Sequence, residues 1–332
     1  MVTLKKKILV TVVSFILFGL WLWCTLAIRF SSLPGEVLPF AVAGIFAAGV
    51  PLAFIFLPDR KRTAYGVFIL CAGIVVAWLQ IKPSHDREWE VSVAKLPSAS
   101  FEGEQVKIRN IRNFEYKTEK DFSVRYYDKT YDLNKLVSID YVLVYWDGNE
   151  AVAHTILSFG FSNGEYLSVS VEMRLERGEP QSSLRGLFKQ YESIYILGDE
   201  KDLLRLRTNY RREDVFLYPT TIDPKIVRKL FKIIMERVNQ IASEPEFYNT
   251  LFHSCLSSLA NDFEQVIARR SFFDFRRIAN GYSDEMLYEN GWIDSKLSFE
   301  DTKRLHYVNQ YVMADVDSEN YSIKIRPHIK VE

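Results

Sequence analysis

The sequence predicts an α+β protein in which three N-terminal transmembrane helices precede an extracytoplasmic domain. Long uncharged runs are confined to the first quarter of the chain, and the rest has the mixed composition of a globular domain. In that remainder, segments that alternate like strands are interspersed with segments of helical spacing. We expect a membrane anchor over residues 1–82 and an α+β domain over residues 83–332.

The composition argues against a nucleic-acid partner. The 332 residues include 42 basic and 42 acidic side chains, which give a net charge of zero, whereas nucleic-acid-binding domains are strongly basic. Cys24 and Cys71 lie inside apolar runs, so Cys255 has no disulfide partner in the polar part. Cysteine and histidine do not occur at metal-binding spacing, and we expect neither a metal nor another cofactor.

Three uncharged runs are long enough to cross a bilayer, which takes ~20 helical residues. They cover residues 8–28, about 37–57 and about 64–81. Basic residues at 5–7 precede the first run, and those at 60–62 separate the second from the third, so the positive-inside rule places both groups in the cytoplasm. No signal-peptide cleavage site follows the first run. We therefore expect a multi-pass protein of the bacterial inner membrane, integral to it, with an extracytoplasmic C-terminal domain.

The first part of the domain is expected to contain strands. Residues 89–96, 106–114 and 137–146 alternate between apolar and polar positions. Serine and glycine within 98–103 indicate a turn. The aromatic and charged residues of 115–135 combine apolar bodies with polar tips, and we interpret them as a cap on the core, with a binding surface as the alternative.

Residues 151–174 are typical of a β-hairpin around an Asn-Gly turn. Alternation places His154 and Glu172 on the same face of this hairpin. If Phe161 pairs with Glu165, His154 lies directly opposite Glu172. A shift in register would leave both on one face but move them to diagonal positions.

Helices and strands alternate in the second half of the domain. We expect a short helix over 183–191, a strand over 193–197 and a helix over 199–210. Residues 223–241 begin with Asp-Pro, a helix-start signature, and continue with an apolar stripe at the spacing of a core helix. A further amphipathic helix follows Cys255.

Cys255 lies where a loop turns into this helix, so its thiol would face unpaired backbone N–H groups and the positive end of the helix dipole, which stabilise a thiolate. A cysteine nucleophile needs a base. His154 shares its face with a carboxylate, whereas the side chain of His253, two residues from the cysteine, would diverge from it in a helix. A buried structural cysteine and a hydrogen-bonded structural histidine are the alternative.

Segments between residues 87 and 265 together form a specific pattern. They are residues 106–114, 125–131, 153–159, 168–172, 184–192, 206–209 and 247–251, with Cys255. In these segments the chain resembles the family of membrane proteins that share the Lnb N-terminal periplasmic domain. The namesake of that family is a lipoprotein intramolecular transacylase of Gram-positive bacteria.

The resemblance implies a catalytic cysteine and histidine, which match Cys255 and His154. Histidine before cysteine is the order of a circularly permuted papain-like fold, as in relatives of lecithin:retinol acyltransferase, so the resemblance implies a fold of that thiol-hydrolase type. The chain departs from the family at the nucleophile. The family has Asn-Asn-Cys-Thr, and this sequence has His-Ser-Cys-Leu at 253–256. That difference puts the local hydrogen bonding and the substrate in doubt.

The leading hypothesis is a membrane-anchored thiol acyltransferase or acyl hydrolase that acts on lipoprotein or phospholipid acyl esters. Cys255 would attack the ester carbonyl, His154 would carry the proton, and Glu172 or a serine on its face would orient the imidazole. Backbone N–H groups at the helix start, Tyr248 and Asn249 are the candidates for holding the oxyanion or the substrate.

Arg185 and Arg207 are candidates for contact with a headgroup phosphate, although paired surface charges are the alternative for both. Two other functions stay open. A papain-like peptidase or amidase would use the same thiol on peptide or peptidoglycan. A non-catalytic membrane scaffold would use the aromatic surface to bind a partner.

Overall fold

The computed structural model describes residues 2–31, 33–35, 37–146, 148–267, 274–313 and 320–327. The chain divides into two compact units. The first comprises Met1–Ser84 and Gln181–Tyr191, and the second comprises His85–Pro180 and Glu192–Glu332. The first unit therefore includes a segment from the middle of the polar sequence.

Three helices of the first unit are long and apolar enough to cross a membrane: α1 (Val2–Arg29), α2 (Val37–Phe56) and α3 (Arg60–Leu79). Helix α3 begins at Arg60 rather than at residue 64. The Asp59 carboxylate accepts the backbone N–H groups of Lys61 at 3.0 Å and Arg62 at 3.1 Å, and so caps the helix. The basic residues expected in a loop therefore form the first turn of α3.

The helix predicted over 183–191 is wrong. The segment contains a single 3₁₀ turn, Arg185–Leu187. Lys189 has a φ of +56°, in the left-handed region that a right-handed helix excludes. Its ammonium group donates to the carbonyl oxygens of Trp78 and Ile81, at 3.2 Å each, at the end of α3. These tertiary contacts override the local helical pattern.

The second unit is built on one large sheet. The strands of the unit are β1 (Ser98–Glu102), β2 (Gln105–Arg112), β3 (Glu115–Tyr116), β4 (Phe122–Ser123), β5 (Tyr126–Asp132), β6 (Leu136–Tyr145), β7 (His154–Phe161), β8 (Tyr166–Arg174), β9 (Glu192–Gly198) and β10 (Asp214–Pro219). The spatial order is β1-β2-β9-β8-β7-β6-β10, with β5 also paired to β2, while β3 and β4 form a separate pair. Neighbouring strands are antiparallel except β2 and β9.

Three expectations for the start of the domain are wrong. The strand expected over 89–96 is a 3₁₀ turn at Val91–Val93 with an isolated bridge at Trp89. The turn expected over 98–103 begins with β1, and the chain reverses only after it, at Gly103 (φ +59°). The aromatic stretch 115–135, interpreted as a cap on the core, instead contains strands: β3 and β4 pair with each other, and β5 pairs in the large sheet.

The register predicted for the hairpin is confirmed. Phe161 donates its backbone N–H to the carbonyl of Glu165 at 2.9 Å, and Ile156 pairs with Ser170. The same register places position 154 opposite position 172. Alternate side chains of this hairpin, including Phe159, enter the core.

The second unit also contains α4 (Glu200–Arg205), α5 (Pro224–Ser243), α6 (Cys255–Ile267), α7 (Ser283–Glu289), α8 (Phe299–Leu305), α9 (Asn309–Val312) and α10 (Tyr321–Lys324). The predicted start of α5 is confirmed, since Asp223 caps it by accepting the N–H of Lys225 at 2.7 Å. The helix expected over 199–210 is α4 followed by a π-helical turn, Leu206–Arg211. Helices α5 and α6 pack on the sheet, for example through the edge of Phe231 against Phe159.

Candidate active site

Cys255 is the first residue of α6. Ser254 and Ser257 cap this end reciprocally: the N–H of Ser254 donates to Ser257 Oγ at 2.7 Å, and the N–H of Ser257 donates to Ser254 Oγ at 3.3 Å. Ser254 therefore serves as a helix cap. The cap fixes the first turn of α6, where Cys255 follows the loop. The thiol is buried, since only 4% of Cys255 is exposed.

His154, the first residue of β7, hydrogen-bonds to the Cys255 thiol. Its Nε2 lies 2.7 Å from Ser170 Oγ and 3.1 Å from Glu172 Oε1. The Ser170 hydroxyl donates to the same Glu172 oxygen at 2.6 Å. Because Nε2 faces these two groups, Nδ1 is the ring nitrogen left for the thiol. The imidazole therefore bridges a thiol and a carboxylate.

The protonation states of Cys255, His154 and Glu172 depend on one another. Burial lowers the pKa of His154, but the Glu172 carboxylate, together with the charge and hydrogen bond of Cys255, raises that pKa to about 9. Burial raises the pKa of the Cys255 thiol, while the charge and hydrogen bond of His154 and the backbone N–H of Thr155 bring it below its ordinary value. An imidazolium and a thiolate are favoured near neutral pH, the state in which cysteine is nucleophilic.

Arg207 lies behind the carboxylate. It stands in the π-helical turn and is 8% exposed, with one guanidinium nitrogen 3.1 Å from Glu172 and the other 3.2 Å from Glu213. Arg207 is buried and paired with two carboxylates, so this position does not fit the expected contact with a lipid headgroup. The contact with Arg207 instead positions Glu172. Arg185 lies in the first unit, 5.9 Å from the ring centre of Phe30.

Tyr248 is buried beside the helix start, with 7% exposed. Its hydroxyl accepts the backbone N–H of Cys255. Burial and then the negative charges of Cys255 and Glu172 hold the pKa of Tyr248 well above its ordinary value, so the hydroxyl keeps its proton. A protonated hydroxyl at this point is a hydrogen-bond donor next to the sulfur.

Asn249 shapes the loop that leads to Cys255. Its Oδ1 accepts the backbone N–H groups of Leu251 at 3.0 Å and Phe252 at 3.1 Å, which makes an Asx-type turn. Its backbone carbonyl accepts the N–H of His253 at 2.9 Å. The side chain of His253 is exposed. Asn249 therefore stabilises the conformation of the loop.

Asn280 was missed by sequence reasoning. Its Nδ2 lies 3.7 Å from the Cys255 sulfur and also donates to the carbonyl of Ala153, while its Oδ1 accepts the N–H of Ala153 at 2.9 Å. The next residue must be glycine, because a Cβ on Gly281 would lie 1.9 Å from the carbonyl oxygen of Glu150. An Asn-Gly pair is a turn signal in sequence, but nothing local to it indicates contact with a thiol.

The comparisons with known proteins agree with the expected family. The model of the family described as the Lnb N-terminal periplasmic domain matches residues 123–281, a span that runs from before His154 to just after Asn280. Neither the curated proteins nor the solved structures contain a significant match. With three helices able to span a membrane, the match indicates a membrane protein that has a periplasmic C-terminal domain.

Proposed function

We propose that this chain, which carries an Lnb N-terminal periplasmic domain, is a membrane-anchored thiol acyltransferase or acyl hydrolase. It would act on acyl esters of lipoproteins or phospholipids at the outer face of the bacterial inner membrane. One observation carries the proposal: the His154 imidazole hydrogen-bonds to the Cys255 thiol and faces Glu172 through its other nitrogen. A histidine on a strand before a cysteine at a helix start is also the reason to propose a circularly permuted papain-like fold.

The first step is acylation of the thiol. The Cys255 thiolate attacks the ester carbonyl, and the carbon–sulfur bond forms as the carbonyl oxygen takes the negative charge. The Tyr248 hydroxyl, which accepts the Cys255 N–H, would donate a hydrogen bond to that oxygen and keep its proton. When the carbonyl reforms, the ester C–O bond breaks, and His154 gives its proton to the departing alkoxide. The products are an alcohol and a thioester.

The second step returns the enzyme to its starting state. Neutral His154 takes a proton from an attacking amine or water, which adds to the thioester carbonyl. The carbon–sulfur bond then breaks, and the thiolate is again paired with the imidazolium. An amine acceptor gives an amide by transfer, and water gives a free carboxylic acid by hydrolysis. Glu172, held by Arg207 and Ser170, keeps the imidazole oriented through both steps.

Location supports acyl esters as the substrate class. Three apolar helices hold the catalytic domain at a membrane, where acyl esters of lipids are the most concentrated carbonyl compounds. The loop before the nucleophile presents two apolar side chains to solvent, Leu251 with 38% and Phe252 with 68% exposed. Exposed apolar side chains beside a reactive thiol suit an apolar substrate better than a peptide.

The test compares membranes from cells that produce the wild-type chain, Cys255→Ala or Cys24→Ala, with mass spectrometry of lipoprotein N-termini and of phospholipids. We expect an altered acyl pattern or lysolipid product with the wild type and Cys24→Ala, and its loss with Cys255→Ala. Identical lipoproteins and lipids from the wild type and Cys255→Ala would contradict the proposal. Thiol-dependent release of peptides from peptidoglycan would replace it with an amidase.

A further inference from the structure

A second feature of the molecule, independent of the thiol, lies among the three helices. A groove of about 1030 Å³ runs along them, lined by Ser31 and Trp78 near one end and by Asp59 and Arg62 at the other. The lining between Thr63 and Trp78 is apolar, and this stretch of α3 rises ~22 Å at 1.5 Å per residue. That is most of the ~30 Å hydrocarbon core of a bilayer, and the groove suits an extended acyl chain.

Three basic side chains form a cluster at the periplasmic ends of the helices: Arg29, Arg185 and Lys189. The guanidinium groups of Arg29 and Arg185 lie 5.6 Å and 5.9 Å from the ring centre of Phe30. Lys189 donates to the carbonyl oxygens of Trp78 and Ile81, both of which line the groove. The basic cluster is therefore found where the groove ends.

The sequence around this cluster carries an unusual charge for the outer side of a membrane. The segments 25–40, 78–84 and 181–191 contain four basic residues and one acidic residue. Lys and Arg are normally depleted from short outer segments and enriched in cytoplasmic ones. An excess of positive charge at this end is matched by an anion, and guanidinium groups bind phosphate through two parallel hydrogen bonds.

The opposite end of the groove has a different charge balance. Basic residues at 5–7 and 60–62 are also present there, but the carboxylate of Asp59 lines the groove at that end, 3.3 Å from the guanidinium group of Arg62. A phosphate at that end would be repelled by this carboxylate, whereas no acidic side chain among the described residues lines the groove at its periplasmic end. This difference orients an amphiphile in the groove with its headgroup toward the outer leaflet.

We propose that the first unit is a phospholipid-binding site. The phosphate lies against the basic cluster, and an acyl chain occupies the groove between α1, α2 and α3. The occupant is an anionic glycerophospholipid of the outer leaflet. This site lies within the first unit. Of the residues predicted from sequence to act on the substrate it includes only Arg185, and it includes none of Cys255, His154 and Glu172, so it does not depend on the reaction proposed for Cys255.

Glycines provide a clean way to fill the groove. Gly49 of α2 and Gly66 of α3 line it, and a Cβ added to either meets nothing within 4 Å. Gly44 and Gly73 lie on the same two helices, are equally open, and do not line the groove. Gly49→Leu/Gly66→Leu therefore blocks the groove, and Gly44→Leu/Gly73→Leu is the matched control with the same residues gained.

The measurement is native mass spectrometry of the full-length chain in detergent, titrated with phosphatidylglycerol. We expect the wild type and the control pair to retain one lipid, and the groove-filling pair to need about tenfold more lipid for the same occupancy, a difference of 1.4 kcal/mol. Arg29→Gln/Arg185→Gln should weaken retention to a similar degree. Cys255→Ala should retain lipid like the wild type, which separates this site from catalysis.

Three results would overturn the proposal. Retention by the groove-filling pair equal to that of the wild type would show that no chain occupies the groove, provided circular dichroism confirms that both are folded. An equal loss in the control pair would show that lipid binds the helices without using the groove. Full retention by Arg29→Gln/Arg185→Gln would show that the basic cluster does not bind the phosphate, and would contradict an anionic lipid as the occupant.

Discussion

The His154 imidazole and the Glu172 carboxylate are 3.1 Å apart and face each other across the hairpin of β7 and β8. The same carboxylate oxygen, Oε1, receives Ser170 at 2.6 Å and Arg207 at 3.1 Å. A shift of one residue in either strand would move one partner to the other face of the sheet. The hairpin register thus determines the charge of the imidazole, and through it the reactivity of Cys255.

Glu172→Gln should make the thiol less reactive. The Glu172 charge is the main favourable influence that raises the pKa of His154 to about 9. Without it the imidazole loses its proton at lower pH, and the thiol pKa rises, although removal of a nearby negative charge partly offsets this change. We expect the thiolate fraction at about pH 6 to fall about tenfold for each pH unit by which the thiol pKa rises. The measurement is the pH profile of iodoacetamide labelling of the Cys255 peptide.

The matched control for this variant is Glu213→Gln. Glu213 contacts the other side of the Arg207 guanidinium at 3.2 Å and has no contact with His154. We expect its labelling profile to follow the wild type closely. Equal profiles for all three proteins would contradict the role of Glu172, and peptide-level detection keeps Cys24 and Cys71 out of the comparison.

The stability of a Cys255→Ala chain should depend on pH through His154. In the wild type the thiol, whose pKa is lowered on folding, releases a proton as His154 takes one up, so the two effects on stability oppose each other. The pKa of His154 rises from 6.5 in the unfolded chain to about 9 in the folded wild type. A raised pKa contributes stability that is fully present below about 6.5 and is lost as the pH rises through about 9. The upper bound is about 3 kcal/mol, since one pKa unit corresponds to about 1.4 kcal/mol. The measurement is chemical unfolding of the full-length protein in detergent at several pH values.

In the Cys255→Ala chain, His154→Gln should remove most of this pH dependence between about 6.5 and 9. His253→Gln in the same chain is the control, because the side chain of His253 is exposed and its substitution should leave the curve unchanged. If Cys255→Ala and Cys255→Ala/His154→Gln lost stability in parallel over this range, the folded state would not stabilise the imidazolium.

The features that were predictable from sequence depend on neighbours along the chain. The hairpin register follows from alternation and a turn, and the start of α5 follows from the Asp-Pro cap, so both were read correctly. The contact between His154 and Glu172 could be predicted from that register alone. The position of Arg207 behind the carboxylate follows from a π-helical turn, which has no sequence period of its own.

Other features are fixed by tertiary contacts that no local pattern encodes. The segment 181–191 has the spacing of a helix, yet the hydrogen bonds of Lys189 to the end of α3 hold it in another conformation. Asn280 reaches the thiol from a stretch beyond α6. A long-range contact of this kind depends on how the layers pack, and hydrophobic period and turn propensity do not report on that.

The helix cap before Cys255 should also accept asparagine. Ser254→Ala removes the acceptor for the N–H of Ser257 and should cost about 1 kcal/mol. Ser254→Asn should restore most of that stability, because asparagine caps helices as well as serine does. Ser258→Ala, in the same first turn, is the control. Thermal unfolding of the three variants measures the difference, and equal loss for Asn and Ala would contradict the capping role.

Asn280 should support both the fold and the thiolate, and two substitutions separate these roles. Asn280→Ala leaves the N–H and the carbonyl of Ala153 without their partner, so we expect a loss of about 2 kcal/mol in unfolding free energy. Asn280→Asp keeps an acceptor for that N–H but brings a negative charge to within about 4 Å of the sulfur, by analogy with the present 3.7 Å contact.

The aspartate variant should be the less reactive of the two, and it should not be the more stable, because its second carboxylate oxygen replaces the amide donor and faces the carbonyl oxygen of Ala153. A like charge raises the thiol pKa, so iodoacetamide labelling of Cys255 near neutral pH should fall further for Asn280→Asp than for Asn280→Ala. Asn290→Ala is the control, because its amide makes only a local bond to the carbonyl of Met286 on an exposed turn. Labelling of Asn280→Asp at the wild-type rate would show that residue 280 braces the strand at Ala153 without influencing the charge of the thiol.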